Sequence, residues 1–137
     1  KRYARKRKSS RISFEMEIRL RRVYDNKSED EGLRILVDRL WPRGVSKDKL
    51  VYDLWSKDIA PSIGLRKFLH TDIENNWEVF EKRYIEELSS SIEFKELIKK
   101  IKDINPNKIT LLYSSKDRNR NNAIILQDEI KKQIKEL

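Results

Sequence analysis

Apolar residues along the chain form two kinds of pattern. Residues 34–40 and 108–115 each contain a nearly continuous apolar run, at residues 35–37 and 109–113, and a looser alternation of apolar and basic residues covers residues 18–24. Such runs predict β-strands, and the two continuous ones are typical of strands buried on both faces of a parallel sheet. Residues 25–33 have the composition of a turn and join the first two strands.

Apolar residues at helical spacing predict helices over residues 63–69, 71–88 and 91–104, and a fourth helix near the C-terminus. Ser62 is the expected N-cap of the first, and Thr71 with Glu74 forms an expected capping box for the second. Strands alternating with helices predict a small single α/β domain. Its short, mostly parallel sheet of three or four strands is flanked by helices.

The composition limits the chemistry that the chain can perform. It has no cysteine and one histidine, which excludes disulfides and thiolate metal sites and argues against a histidine metal site, so we expect no metal and no cofactor. No apolar stretch approaches the ~20 residues that span a bilayer, and the basic N-terminus lacks the apolar core of a signal peptide. We therefore expect a cytoplasmic protein without membrane contact.

The net charge of +9 is concentrated at one end of the chain. Residues 1–22 hold ten Lys or Arg against two acidic residues, so nearly all of the excess lies there. Residues 1–15 are interpreted as a basic arm or extension, and residues 16–137 as the α/β domain, for which Met16 is a natural start. With 40% charged residues and three glycines, the surface also resembles that of thermophile proteins.

Two polar clusters follow directly after the two apolar strands. The first is LWPRG with the residues before it, and its candidates are Asp38, Arg39, Trp41 and Arg43. The second is SSKDRNRNN, with candidates Ser114, Lys116, Asp117, Asn121 and Asn122. Carboxyl ends of parallel strands share one edge of a sheet, where α/β proteins bind ligands, so the loops should converge. Guanidinium groups hold phosphate or carboxylate bidentately, and Trp offers a stacking face.

Each candidate also has a structural interpretation. Asp38 could pair with Arg39 or Arg43 while Trp41 covers the sheet edge, and Asn121 could simply cap the last helix. Arg66 and Arg83 are candidates for further cationic contacts. His70 could act as a general base with Glu87 or Asp117 as its helper, although a lone histidine at a helix end more often caps carbonyls.

The motif LVDRLWPRG resembles the YeaO-like proteins, domain of unknown function 488. Further matches run through Asp53, Trp55, the APS at residues 60–62, His70, Trp77 and Tyr84, and end in TLLYSSKDRNRNNAIIL at residues 110–126. The resemblance covers nearly everything except the arm, and it implies no established activity. Arg120 and Asn122 stand where relatives often carry histidine, so no imidazole can act there.

The closing stretch is also distantly similar to the strand, loop and helix of rhodanese-type and Cys-phosphatase sites. Without cysteine, thiolate chemistry is excluded, and what remains is a loop whose backbone N–H groups could bind an anion at a helix N-terminus.

The leading hypothesis is therefore binding of a small phosphate- or carboxylate-bearing ligand between the LWPRG and SSKDRNRNN loops. The alternatives are non-specific nucleic-acid binding through residues 1–15, and a hydrolase-like enzyme using His70, Asp38 or Asp117.

Overall fold

A computed structural model describes residues 16–135. Its four strands are β1 (Glu17–Arg22), β2 (Leu33–Leu36), β3 (Leu54–Trp55) and β4 (Lys108–Tyr113). A single turn of 3₁₀ helix, Lys57–Ile59, precedes four α-helices: α1 (Ile63–Thr71), α2 (Ile73–Ser89), α3 (Ile92–Ile104) and α4 (Asn122–Lys135). The predicted small α/β domain is confirmed. The basic arm, residues 1–15, lies outside the described residues.

The four strands form one sheet in the order β1-β4-β2-β3, and every pairing is parallel. The last strand in sequence thus lies between the first two, with Leu111 beside Leu20 on one side and Ile35 on the other. All carboxyl ends consequently meet at one edge, which places the segments after β2 and β4 next to each other.

The two faces of the sheet are covered differently. Alternate strand residues, such as Ile35 and Leu111, pack with buried residues of all four helices in one large core. On the opposite face Leu36 and Leu112 pack with Val23 and with the partly buried Trp41 and Trp55. The helices therefore form one layer, and the loop between β2 and β3 covers the other side of the sheet.

Three local predictions from the sequence were wrong. The second strand ends at Leu36 rather than residue 40. Beyond Val37 the chain is connected to β4 by the Asp38 side chain and no longer by backbone hydrogen bonds. Thr71 ends α1 and donates its hydroxyl to the Phe68 carbonyl, while Asp72 caps α2 by accepting from the Asn75 amide. Ile63, one of the apolar residues at helical spacing that predict the helix over residues 63–69, is exposed and not packed.

Strand β2 begins at a buried ionic cluster on the face opposite the helices. The Glu31 side chain is 0% exposed, accepts from the Ser28 amide and hydroxyl at 2.7 Å each, and contacts Arg21 Nε at 2.6 Å. Its second oxygen lies 3.0 Å from Nε of Arg34, whose side chain is only 4% exposed. Burial raises the pKa of Glu31, but hydrogen bonds from Ser28 and the charges of Arg34 and Arg21 outweigh it, so that the pKa falls below its ordinary value of 4.5.

Candidate functional site

Asp38 joins the two predicted loops. Its Oδ2 accepts hydrogen bonds from the Ser114 amide at 2.8 Å and the Ser114 hydroxyl at 2.7 Å. Asn122 at the start of α4 donates to Asp38 Oδ1 at 3.3 Å and to the Val37 carbonyl at 3.1 Å. The LWPRG and SSKDRNRNN loops therefore meet. The Asp38 carboxylate accepts hydrogen bonds at the position where the similarity to rhodanese-type and Cys-phosphatase sites would place a bound anion.

The rest of the SSKDRNRNN loop is also held by internal bonds. Asp117 Oδ1 accepts from the amides of Asn119 at 3.0 Å and Arg120 at 2.8 Å, and Asn121 Oδ1 caps α4 by accepting from the Ile124 amide at 3.1 Å. Arg22 donates to the Ser115 carbonyl at 2.8 Å. These contacts favour a structural role for Asp117 and Asn121.

Trp41 and Arg43 hold the LWPRG loop against the sheet. Trp41 donates its ring N–H to the Val45 carbonyl and packs edge-on against Tyr52 and Trp55, with ring centroids 5.7 and 5.5 Å away. The Arg43 carbonyl accepts from the Tyr24 hydroxyl at 2.8 Å, whereas the residue itself is exposed. Within residues 16–135 Asp38 forms no ion pair, so the pairing considered for it with Arg39 or Arg43 is absent there.

Arg39 turns away from the loop contact and lines a pocket of about 140 Å³ on the helical side of the same edge. The pocket lies between the exit of β2, the segment 58–62 and the helices α2 and α3; its other lining residues are Asp58, Ile59, Ala60, Ser62, Tyr84, Glu87, Leu88 and Ser91. Ser62 and Ser91 are the N-caps of α1 and α3, so two helix N-termini border it.

The Arg39 guanidinium is only partly satisfied. Nη2 donates to the carbonyls of Ala60 at 3.2 Å and Pro61 at 3.1 Å. Nε is buried and has no hydrogen-bond partner in the described part of the chain, where Arg39 also forms no ion pair. A buried N–H without an acceptor costs free energy.

Two carboxylate side chains line the pocket, and only one of them is hydrogen-bonded. Glu87 accepts from the Ser62 amide at 2.9 Å and from the Ser62 hydroxyl at 2.6 Å, so it occupies the N-terminus of α1. The carboxylate of Asp58 is exposed and makes no hydrogen bond or ion pair with any residue between 16 and 135. Among the charges facing the pocket, Arg39 and Asp58 are thus the unpaired ones.

Tyr84 forms the floor of the pocket and is fully buried. Its hydroxyl donates to the Ile59 carbonyl. Burial raises the pKa of Tyr84 well above its ordinary value of 10.0, and the negative charges of Asp38 and Glu87 add to this. The phenol consequently stays neutral and acts as a fixed donor to the protein itself.

The structure places the remaining predicted residues outside this pocket. Arg66 is exposed on α1, and the Arg83 guanidinium on α2 lies 5.9 Å from the centre of the Phe68 ring. His70 is exposed on α1, and desolvation together with the charge of Arg66 lowers its pKa, so it is neutral at pH 7. No carboxylate between residues 16 and 135 hydrogen-bonds to His70, which leaves the predicted general base without a helper. Lys116 is exposed at the loop tip.

Arg39 is the one pocket-lining residue that the sequence analysis proposed as a ligand contact. Ser62 was predicted as a helix cap, and Tyr84 and Glu87 belong to one predicted helix, but nothing in the sequence brings them to Arg39. Residues 16–135 contain no group of acidic or histidine side chains arranged to hold a metal ion. The same residues include no helix long and apolar enough to cross a membrane.

Fold and site together define a small parallel α/β domain with an arginine-containing pocket at the carboxyl edge of its sheet. Residues 17–137 match the family model described as "Inactive DUF488-N3 subclade", and the chain belongs to this family. The resemblance to YeaO-like proteins seen in the LVDRLWPRG motif is thereby confirmed.

Relatives of the chain occur in distant bacteria. The chain is 41% identical over 113 residues to "Uncharacterized protein YeaO" of Escherichia coli K12, which covers 82% of this chain and 96% of that protein. It is 44% identical over 85 residues to uncharacterized proteins of Mycobacterium bovis and Mycobacterium tuberculosis, covering 62% of this chain and 71% of theirs. No solved structure gives a significant match.

Proposed function

We propose that the domain binds a small phosphate- or carboxylate-bearing ligand in the pocket at the carboxyl edge of its sheet, on the helical side of the contact between the LWPRG and SSKDRNRNN loops, and that Arg39 is the principal contact. The observation that supports this most directly is that Arg39 lines the pocket while its buried Nε has no hydrogen-bond partner among residues 16–135. A guanidinium with free donors is suited to planar anions, because it can form two parallel hydrogen bonds.

In this pocket the ligand lies on the helical side of the gap between the two loops, not in the gap itself. Asp38 already accepts from Ser114 and Asn122 inside the gap, so an anion there would have to compete with a carboxylate held by three hydrogen bonds. Arg43 and Lys116 are exposed at the same edge, and their role in the proposal is to attract the ligand at long range.

A binding role without catalysis agrees with the rest of the site. The neutral His70 has no helper, Asp38 and Asp117 are used as hydrogen-bond acceptors within the domain, and the matching subclade is described as inactive. These observations weigh against the hydrolase alternative.

The test compares two charge-conserving variants, Arg39→Lys and Arg43→Lys. Inorganic phosphate and acetate are titrated against the full chain and followed by NMR chemical shifts. Ligands of so few atoms should bind with dissociation constants of roughly 1–10 mM. Arg39→Lys should weaken binding about tenfold, because a lysine cannot supply the paired guanidinium donors, whereas Arg43→Lys should leave it unchanged.

The outcomes separate the two arginines. A loss in Arg43→Lys with normal binding in Arg39→Lys would move the contact back to LWPRG, and no shift with either anion would refute the proposal. Denaturant unfolding provides the stability control. Arg43→Ala should change the free energy of unfolding by less than about 0.5 kcal/mol, because this exposed side chain has no ion-pair partner among the described residues.

The basic arm supports a second, weaker activity, non-specific binding of nucleic acid. Seven Lys or Arg precede Met16, so affinity for DNA or RNA should be independent of sequence and should fall steeply as salt rises. Deleting residues 1–15 should abolish it and leave the melting temperature nearly unchanged, since a charged run has little apolar surface to bury. Electrophoretic mobility shifts across a salt series and a thermal melt test both statements. Sequence-selective binding that persists at high salt, or a large drop in melting temperature, would contradict them.

A further inference from the structure

Three aromatic rings lie together on the face of the sheet that the helices do not cover. Trp41 packs edge-on against Tyr52 and Trp55, with ring centroids 5.7 and 5.5 Å away. The two tryptophans also pack on Leu36 and Leu112 of the sheet, but both remain partly exposed, and Tyr52 is 37% exposed. We call Trp41, Tyr52 and Trp55 the aromatic patch. Each of its rings keeps part of its surface in contact with solvent.

Hydrogen bonds within the domain hold the two tryptophans in place. Trp41 donates its ring N–H to the Val45 carbonyl, and Trp55 donates its ring N–H to the Asp38 carbonyl at 2.8 Å. The only polar atom of each indole is therefore already satisfied. What the two rings offer a partner is their aromatic surface, and little ordering is needed when a partner packs on rings that are already fixed.

A lysine lies beside each tryptophan ring. Lys47 Nζ is 5.5 Å from the centre of the Trp41 ring, and Lys57 Nζ is 5.1 Å from the centre of the Trp55 ring, which are cation–π distances. Both lysines are exposed, and neither forms an ion pair with any residue between 16 and 135. Each tryptophan thus has an unpaired positive charge next to it at the protein surface.

The acidic residues that are near the patch in sequence do not pair with these lysines. Asp48 accepts from the Ser46 hydroxyl at 2.8 Å, and Asp53 accepts from the Arg34 amide at 2.8 Å. Asp58 lines the pocket on the helical side of the sheet edge. The two ammonium groups are consequently available to an anionic partner.

We infer that the aromatic patch binds single-stranded nucleic acid. Each nucleotide carries a planar base and a negatively charged phosphate, so this one partner complements both the rings and the lysines. The bases stack on the rings, and the ammonium groups of Lys47 and Lys57 move from the rings to the phosphates. Stacking of this kind accepts any base, because every base has a π-face. A duplex fits less well, since its bases are already stacked on one another.

This activity is separate from the two already proposed for the protein. The contacts proposed for the basic arm are with phosphates alone, so the arm cannot distinguish a strand with bases from a strand without them. The pocket that contains Arg39 is on the helical side, whereas the aromatic patch is on the opposite face of the sheet. A strand that lacks its bases therefore isolates the contribution of the patch.

The test compares a short oligothymidylate with an abasic strand of the same length, which keeps every phosphate. Both are titrated against the full chain and followed by calorimetry and by tryptophan fluorescence. The oligothymidylate should bind about tenfold or more tightly, which corresponds to roughly one stacked base. It should also quench the fluorescence more strongly, because stacking brings a base into contact with Trp41 or Trp55.

Removing one ring of the patch tests the stacking contact. Tyr52→Ala should lower the affinity for oligothymidylate about fivefold and leave the affinity for the abasic strand unchanged. Val79→Ala is the control, because this side chain is similarly exposed, at 43%, and lies on α2 in the helical layer. A thermal melt of each variant verifies that it is folded.

Removing the two lysines tests the phosphate contacts. Lys47→Gln combined with Lys57→Gln should make the dependence of log affinity on log salt shallower by about 1.4 for oligothymidylate, since each phosphate contact of a single strand contributes about 0.7. Lys67→Gln combined with Lys82→Gln removes the same charge from exposed positions of α1 and α2 and should leave the slope unchanged.

Three results would overturn the inference. One is equal affinity of the full chain for the two strands. Another is an unchanged preference in Tyr52→Ala together with equal salt slopes in the two lysine variants. The third is tighter binding of an acidic proline-rich peptide than of oligothymidylate, which would identify a protein partner, since aromatic grooves also bind such segments. Anion binding at Arg39 is measured separately with phosphate and acetate, and it stands or falls independently of these results.

Discussion

Replacing Gly32 with alanine should destabilise the protein by about 3 kcal/mol or more. Gly32 has φ +66°, and a Cβ there would lie 2.1 Å from the Lys108 carbonyl oxygen, which is backbone and cannot move aside without disturbing β4. The left-handed conformation costs an L-residue roughly 1–2 kcal/mol, and forcing atoms into occupied space adds about 1–3 kcal/mol. Urea unfolding of the variant measures the loss.

The other two glycines provide controls. Gly44 also has a positive φ of +79° but has open space around it, so Gly44→Ala should lose only the conformational part, about 1 kcal/mol. Gly64 is in α1 with nothing near its Cβ position, and Gly64→Ala should stabilise the protein by up to about 1 kcal/mol. Equal effects at Gly32 and Gly44 would show that the close approach to Lys108 is unimportant.

Replacing Glu31 with glutamine should cost about 3 kcal/mol at pH 7. The substitution keeps the shape but removes the charge that faces Arg34, whose side chain is 4% exposed, and a buried guanidinium without its counter-ion is strongly unfavourable. Glu29→Gln is the control: that residue is exposed two positions away, and the change should stay within about 0.5 kcal/mol.

The same carboxylate should make stability depend on pH. Because the pKa of Glu31 is lower in the folded state, its contribution is fully present above the ordinary value of 4.5 and is lost as the pH falls through the folded pKa. Unfolding free energies from pH 7 downwards should therefore fall more steeply in the wild type than in Glu31→Gln. Parallel curves, or a loss below 1 kcal/mol at pH 7, would show that the cluster is not coupled to folding.

Much of the fold could be predicted because it depends on local patterns. The apolar runs located β1, β2 and β4 to within a few residues, and the predicted Ser62 cap lies where α1 begins. The two-residue strand β3 has no periodicity to detect, since it exists only where Leu54 and Trp55 pair with β2. Thr71 was predicted to cap the second helix, but its hydroxyl bonds to the Phe68 carbonyl within α1, and Asp72 caps α2 instead.

The sequence could predict where the two loops meet, but it could not predict which residues line the pocket beside them. Parallel strands guarantee that the segments after β2 and β4 meet, and Asp38 and Ser114 do so. Which side of that contact offers a pocket depends on where α2 and α3 pack, and no spacing in the sequence relates Arg39 to Asp58 or Ser91. The polar residues of the LWPRG and SSKDRNRNN segments, by contrast, form hydrogen bonds mainly within the domain.

The central position of β4 has a consequence for biosynthesis. A chain made from its N-terminus exposes β1 and β2 before β4 exists, and the partners in the β1–β4 pairing are about 90 residues apart in sequence. Until residues 108–113 are synthesised, β1 has no strand to pair with among the described residues, and an unpaired strand is a template for association with other chains. Arg19, Arg21 and Arg22 place three positive charges on this six-residue strand. Together with Glu17 they leave the strand with a net charge of +2, and we expect this charge to disfavour its association with other chains before the sheet can close.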